Sequence, residues 1–202
     1  MVDLSGLIHK GEVTSSEATQ AMLNRIGKLD GRLRAYATVL AERAEKQARK
    51  LDDELRSGIW RGPLHGVPIA LKDLCNTTFA PTAAGTRIHL KFVPSYNATI
   101  VDRLERAGAV ILGKLKMTEG AYTSPHPDDQ TPINPWNADY WVGSSSTGSG
   151  VATAAGMCYG SIGTDTGGSI RLPSATCGLT GIKPTWGRVS RYGIFALADS
   201  LD

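Results

Sequence analysis

The sequence predicts an α/β fold built on a parallel sheet and preceded by a helical N-terminal segment. Three observations lead there. "GVPIALKDL" is a nearly continuous apolar run bounded by Gly66 and Pro68, and it reads as a strand buried on both faces from Val67 to Leu71. "ATIVDRLERAG" carries a helical pattern with Asn97 placed to cap it and Gly108 at its end. "AVILGKL" follows as a second buried strand. Strand, helix, strand is the order of a βαβ unit, whose strands run parallel.

The remaining elements follow along the chain. Thr14 and Glu17 have capping-box spacing, and apolar residues recur at helical intervals to about Leu29. A second helix is expected from about Val39 to Arg56, with Leu40, Ala44, Ala48, Leu51 and Leu55 three or four apart and Gly58 closing it in a left-handed cap. The two helices are expected to cover what comes after them. From Ser124 to Ser149 the chain is rich in Pro, Asn, Asp, Ser and Gly, so a long irregular loop is expected, of the kind that carries function. "GVATAAGM" reads as a small-residue helix, and "YGSIGTDTGG" as a short strand turning into a Gly-Gly-Ser motif. We expect one domain over 1–202, with a helical segment over 1–60 and an α/β catalytic core over 61–202.

Composition narrows the function classes. Of 202 residues, 41% are hydrophobic and 20% charged, which suits a globular chain rather than a disordered one. The net charge of +3 comes from 22 basic and 19 acidic side chains that are mostly interleaved, so no nucleic-acid footprint is visible. The nearest thing to a basic run, "RAEKQARK", lies on an amphipathic helix and reads as its solvated face. Cys75, Cys158 and Cys177 form no CxxC pair, which argues against a disulfide framework or a zinc knuckle and for a reducing, cytoplasmic compartment. No secretory signal is visible, and no apolar stretch is long enough to span a membrane.

Three features call for a chemical explanation. Lys72 closes a buried strand at the end where parallel sheets gather their sites. It either reaches solvent, pairs with Asp73, or is neutral and able to act as a base; neutrality at pH 7 requires burial to lower its pKa by about 3 units. "GSSSTGSG", Gly143 to Gly150, is directly followed by a packed helix, lacks the lysine of a phosphate loop, and has Thr153 where a dinucleotide fingerprint needs its last glycine. Its serine hydroxyls both accept and donate protons, as a relay must. "GTDTGGS" offers the backbone N–H groups of Thr166, Gly167, Gly168 and Ser169 to a developing oxyanion, with Ser169 as nucleophile. His9, His65, His89 and His126 lie in separate segments without metal-ligand spacing, which leaves Lys72 as the base; Cys177 in "ATCGL" looks like packing.

Together, "GVPIALKDL", "GSSSTGSG" and "GTDTGGSIRLPSATCGLTGIKPTWGRVSRYG" resemble, in order and spacing, the amidase signature family, and the likeness extends to "EVTSSEATQAMLNRI", "GAVILGKLKMTEGA" and "NPWN". The resemblance implies a mixed, largely parallel sheet flanked by helices and hydrolysis of a carboxamide. It makes Lys72 the base, Ser145 a relay following a cis peptide bond, Ser169 the nucleophile, and Thr166, Gly167, Gly168 and Ser169 the oxyanion hole. It implies no metal or organic cofactor, a small-molecule amide as partner, no direct contact with nucleic acid or membrane, and a possible homodimer. Ser144 and Thr147 stand where the family commonly has glycine, and Ser146 neighbours the relay as its alternative. The family's enzymes are usually more than twice as long, so this chain is expected to be their N-terminal part. Two other readings stay open: an amidotransferase A-type subunit that frees ammonia from glutamine for transamidation on tRNA, and a non-catalytic remnant. Asp165 and Arg171 are expected to fix the nucleophile loop through a charge-assisted bond.

Overall fold

The computed structural model describes residues 1–202. Four strands form one mixed sheet in the order β1-β3-β2-β4. β2 (Pro68–Lys72) lies in its centre, parallel to β3 (Val110–Leu115) on one side and to β4 (Ser161–Ile162) on the other, while β1 (Tyr36–Val39) runs antiparallel along β3. The expected βαβ unit is β2, α4 (Thr99–Arg106) and β3.

The apolar runs of β2 and β3 have no polar alternation because both faces of both strands are covered, every residue of each being buried. One core layer gathers Ala70, Val110 and Leu112 against Ile26 and Leu33 of α2 (Ser15–Leu33), Ala44, Ala48 and Leu51 of α3 (Ala41–Arg56), and Val151 of α5 (Thr147–Ala154). The opposite layer gathers Ile69, Leu71 and Ile111 against Val101 of α4 and Leu4 and Ile8 of α1 (Val2–His9). Neighbouring residues along β2 and β3 thus point to different cores, as period-two geometry requires. No helix is long and apolar enough to cross a membrane.

Several sequence expectations are corrected. The expected start of the second helix at Val39 falls inside strand β1; the helix begins at Ala41, and the segment 1–60 supplies the sheet's antiparallel edge as well as helices. Tyr36 decides this locally, because its ring is buried and its hydroxyl donates to the Met157 carbonyl at 3.0 Å, which an extended backbone permits. Asn97 does not cap α4. The N-cap is Ala98, and the Asn97 amide instead accepts the Thr78 N–H and donates to Asp102. The central strand begins at Pro68 rather than Val67 and reaches Lys72, and the small-residue helix starts at Thr147, inside the Gly/Ser run. α1 and the short α6 (Arg171–Thr176) carried no signal that the sequence reading used.

The capping box at Thr14 is present: its hydroxyl accepts the Glu17 N–H at 3.0 Å, and Glu17 accepts the Thr14 N–H at 2.8 Å. Asp52 of α3 adds a tertiary cap, accepting the N–H groups of Ser15 at 2.6 Å and Ser16 at 3.1 Å. Thr14→Ala should therefore cost about 1 kcal/mol. Asp52→Ala, which strands two donors from a charged acceptor, should cost about 2 kcal/mol. Urea midpoints of the two variants check the order, and equal or smaller loss at Asp52 contradicts this account of α2 docking.

Candidate active site

Parallel pairing sets the geometry. Because β2 and β4 run together, with Leu71 opposite Ile162, the C-terminal end of β2 meets the loop that leaves β4. Lys72 is at that end and is fully buried. Its Nζ lies 2.7 Å from Ser145 Oγ and 2.8 Å from Thr164 Oγ1. It neither reaches solvent nor pairs with Asp73: the Asp73 carboxylate is 3.3 Å from Lys114 Nζ. Burial lowers the Lys72 pKa from 10.5 to about 7, opposed by Cys75, Asp202 and Asp165. Burial also pushes the Cys75 thiol up to about 11, so it is uncharged at neutral pH and the opposing charge comes from the two carboxylates.

Ser145 is buried immediately before α5, and the Ser144–Ser145 peptide bond is cis. Of the two candidate relay serines, Ser145 contacts the amine, whereas Ser146 Oγ donates to the Thr164 carbonyl at 3.3 Å. The glycine-rich composition here serves close packing. A Cβ on Gly148 would lie 2.3 Å from the Ala35 carbonyl oxygen and 2.7 Å from the Lys116 nitrogen. The Gly148 N–H donates to the Lys116 carbonyl at 2.9 Å, which ties the start of α5 to the end of the β3 segment.

Ser169 follows in the loop after β4. It is half-buried, and its carbonyl accepts the Ser146 N–H at 3.3 Å, so the two serine segments lie side by side. Its Oγ forms no hydrogen bond, and the hydroxyl link between Ser169 and Ser145 is not made. The loop is wound around Asp165. One oxygen of that carboxylate accepts the Gly168 N–H at 2.7 Å and the other accepts the N–H groups of Ile170 and Arg171 at 3.1 Å each. The Arg171 guanidinium adds bonds of 3.0 and 2.9 Å, one to each oxygen. Burial alone would raise the Asp165 pKa, but the donors from Arg171, Ile170 and Gly168 outweigh it and hold the group well below the usual carboxylate range. The expected structural bond between Asp165 and Arg171 is thus present.

One expected donor is already engaged. The N–H of Gly168 is directed to Asp165 and away from any oxyanion, because the loop closes on the carboxylate with Gly168 at φ 130°, a conformation that favours glycine. The N–H groups of Thr166, Gly167 and Ser169 have no acceptor. Thr164 was missed by sequence reading. Its hydroxyl is ordinary in "GTDTGG", and only the β2–β4 register brings it to the amine.

A cavity of about 640 Å³ adjoins the cluster, with Ser146, Thr164, Asp165, Ile170 and Asp202 in its wall; Lys72, Ser145 and Ser169 do not line it. The irregular loop is fastened nearby, Asn134 donating to the Thr176 carbonyl at 3.0 Å and Trp136 Nε1 to the Cys177 carbonyl at 2.8 Å. Of the histidines, His65 is buried against the Leu51 carbonyl and His9 stacks on Trp60. No three His, Cys, Asp or Glu side chains are grouped to hold a metal ion.

An amine, two serines and a row of free N–H groups are thus brought together, and comparison with known proteins places the chain among relatives. The Amidase family model matches residues 17–202. The amidase-named protein AmiD of Mycobacterium tuberculosis is 56% identical over 202 residues, which are 100% of this chain and 42% of that protein. The A-type subunit of the glutamyl-tRNA(Gln) amidotransferase of Moorella thermoacetica is 48% identical over 99% of this chain and 42% of its own length. The native peptide amidase of Stenotrophomonas maltophilia superposes with a TM-score of 0.89 at 41% identity, over 96% of this chain and 41% of that one. The chain therefore spans about two fifths of the length of these relatives.

Burial of Lys72 has a measurable consequence. Unfolded, the amine titrates near 10.5; folded, near 7. Between those values the unfolded chain holds a proton that the folded chain lacks, so stability rises with pH across that window; below it the burial penalty stands in full, roughly 5 kcal/mol at 1.36 kcal/mol per unit. The stability of the native chain minus that of Lys72→Met should climb by several kcal/mol from pH 7 toward 10 and be flat below about pH 6. Parallel urea-midpoint curves for the two proteins would show an ordinary lysine.

Proposed function

The chain belongs to the Amidase family, and on that premise we propose that it hydrolyses a carboxamide C–N bond through an acyl-enzyme on Ser169. The observation that carries the reading is the contact of a buried lysine with Ser145 at 2.7 Å, without a carboxylate in contact with the amine. With a pKa of about 7, roughly half of Lys72 is neutral at pH 7, against about 0.04% for a lysine in water. A neutral amine gives one N–H to Thr164 and turns its lone pair to the Ser145 hydroxyl.

The steps balance on these groups. Ser169 Oγ attacks the amide carbon as its proton passes to Ser145 Oγ and the Ser145 proton passes to Lys72, which becomes an ammonium. The negative charge that forms on the carbonyl oxygen is met by the N–H groups of Thr166, Gly167 and Ser169; each such donor contributes about 3 kcal/mol. The C–N bond then breaks as the nitrogen takes a proton from Ser145, which regains one from Lys72. Water repeats the sequence on the ester, giving its proton to the same relay and releasing the acid and Ser169. The step requires the Ser169 hydroxyl, which forms no hydrogen bond, to turn to Ser145; the bond from the Ser146 N–H to the Ser169 carbonyl already holds the two segments side by side.

Likeness to the Moorella amidotransferase favours a second reading, in which glutamine is the amide and partner subunits take up the ammonia. The finer expectations belong to the same proposal: one domain, a small-molecule amide, no direct contact with nucleic acid, a homodimer and a cytoplasmic setting. They are supported by the interleaved charges, the free thiols of Cys75, Cys158 and Cys177, and the family likeness.

A fluorophosphonate probe should label Ser169 in the folded chain. Lys72→Ala should slow labelling and amide hydrolysis by about a thousandfold, the usual weight of a general base. Ser145→Ala should lose a comparable factor, and Ser169→Ala should abolish labelling. Turnover of glutamine, with and without partner subunits, compared with that of aliphatic and aryl amides, separates the two substrate readings. A folded protein that takes up no label contradicts both and leaves a non-catalytic remnant.

A further inference from the structure

We propose that Asp202 is a positioning residue of this site, holding Thr166, the first residue of the donor row, in place through its side-chain carboxylate. The proposal rests on the acyl-transfer reading above. Asp165 organises the loop from inside through Gly168, Ile170 and Arg171, but none of its bonds reaches Thr166. The Thr166 hydroxyl donates to Asp202 Oδ1, and this is the only hydrogen bond that Thr166 makes. The other oxygen of Asp202 accepts the N–H groups of Leu197 at 2.8 Å and Ala198 at 3.1 Å, and the Asp202 N–H returns to the Ala198 carbonyl at 3.0 Å. One carboxylate therefore closes the turn 197–202 on itself and fastens it to the loop, forming part of the cavity wall beside Thr164 and Asp165.

The two carboxylates near the amine differ in charge balance. The titratable groups that act on Lys72 are Cys75, Asp202 and Asp165. Cys75 is a neutral thiol, and Asp165 is matched by the Arg171 guanidinium at 2.9 Å, whereas Asp202 has no cation in contact. Asp202 is thus the unmatched negative charge that favours the ammonium form of Lys72 over the free base. Its two effects separate by substitution. Asp202→Asn removes the charge and keeps an oxygen for the Thr166 hydroxyl. Thr166→Val keeps the charge and removes the tether.

The test uses the full chain and the pH dependence of fluorophosphonate labelling at Ser169, with circular dichroism to confirm folding of each variant. Asp202→Asn should move the acid limb of the labelling rate to lower pH by about half a unit, because a lysine that loses a nearby anion titrates lower. Thr166→Val should leave the limb in place and slow labelling roughly tenfold, because a mispositioned donor no longer meets the probe's oxyanion. Slowed labelling of Thr166→Val supports the assignment, the shifted limb of Asp202→Asn reports the charge separately, and a folded Thr166→Val that labels at the native rate overturns the tether whatever Asp202→Asn does. Labelled native protein together with folded variants that match its rate and its limb overturns this inference while sparing the acyl-transfer reading. Folded native protein that takes up no label at Ser169 overturns both.

Discussion

The structure turns on keeping one amine out of water without giving it a counter-ion. Lys72 lies in the centre of a sheet whose faces are both covered, and its nitrogen touches two hydroxyls. Hydroxyls satisfy the amine's hydrogen-bonding needs without stabilising its charge as a carboxylate would, so desolvation prevails and the pKa falls to about 7. The arrangement costs folding stability and leaves an amine that titrates near neutral pH, a trade common at functional sites.

Lys114, on the neighbouring strand, shows the alternative. It too is fully buried, but its nitrogen is 3.3 Å from Asp73, 2.9 Å from Thr82 Oγ1 and 3.1 Å from the Pro81 carbonyl. Burial lowers its pKa while Asp73 raises it again, and burial lifts Asp73 to about 6. This pair ties the segment after β2 to β3, and the Asp73 carboxylate also takes the Ala83 N–H at 3.2 Å. Asp73 follows Lys72 directly, so committing it to Lys114 also keeps a carboxylate from the Lys72 amine. Two buried lysines, one strand apart, are held in opposite ways by what stands next to their nitrogens.

Asp165 completes the frame. A loop whose N–H groups all pointed at substrate would carry unsatisfied donors whenever the site is empty. Here the load is divided: Gly168, Ile170 and Arg171 are given to the carboxylate, and the N–H groups of Thr166, Gly167 and Ser169 are left without an acceptor. Bidentate pairing with Arg171 holds the carboxylate in one orientation, which makes the free donors a fixed feature of the loop.

Much of this was readable from residues alone, where the physics is local or periodic. Unbroken apolar runs imply a sheet covered on both faces, a strand-helix-strand order implies parallel pairing, and a lysine ending such a strand has few fates other than pairing or neutrality. The three motif-bearing segments were likewise visible, as was the Asp165–Arg171 bond, since its partners are six residues apart. What the chain order hid was set by register and packing. Strand β1 forms by antiparallel pairing with β3, and Tyr36 anchors it to the Met157 carbonyl far along the chain. Thr164 and Asp202 join the site only because β4 pairs with β2 and the turn 197–202 folds back on the loop. The choice of Ser145 over Ser146, and the loss of the Gly168 donor to Asp165, depended on which partners the hydroxyls and N–H groups meet in the folded chain. Residue types tell which groups are available for chemistry; only the folded chain decides which of them are already held in hydrogen bonds.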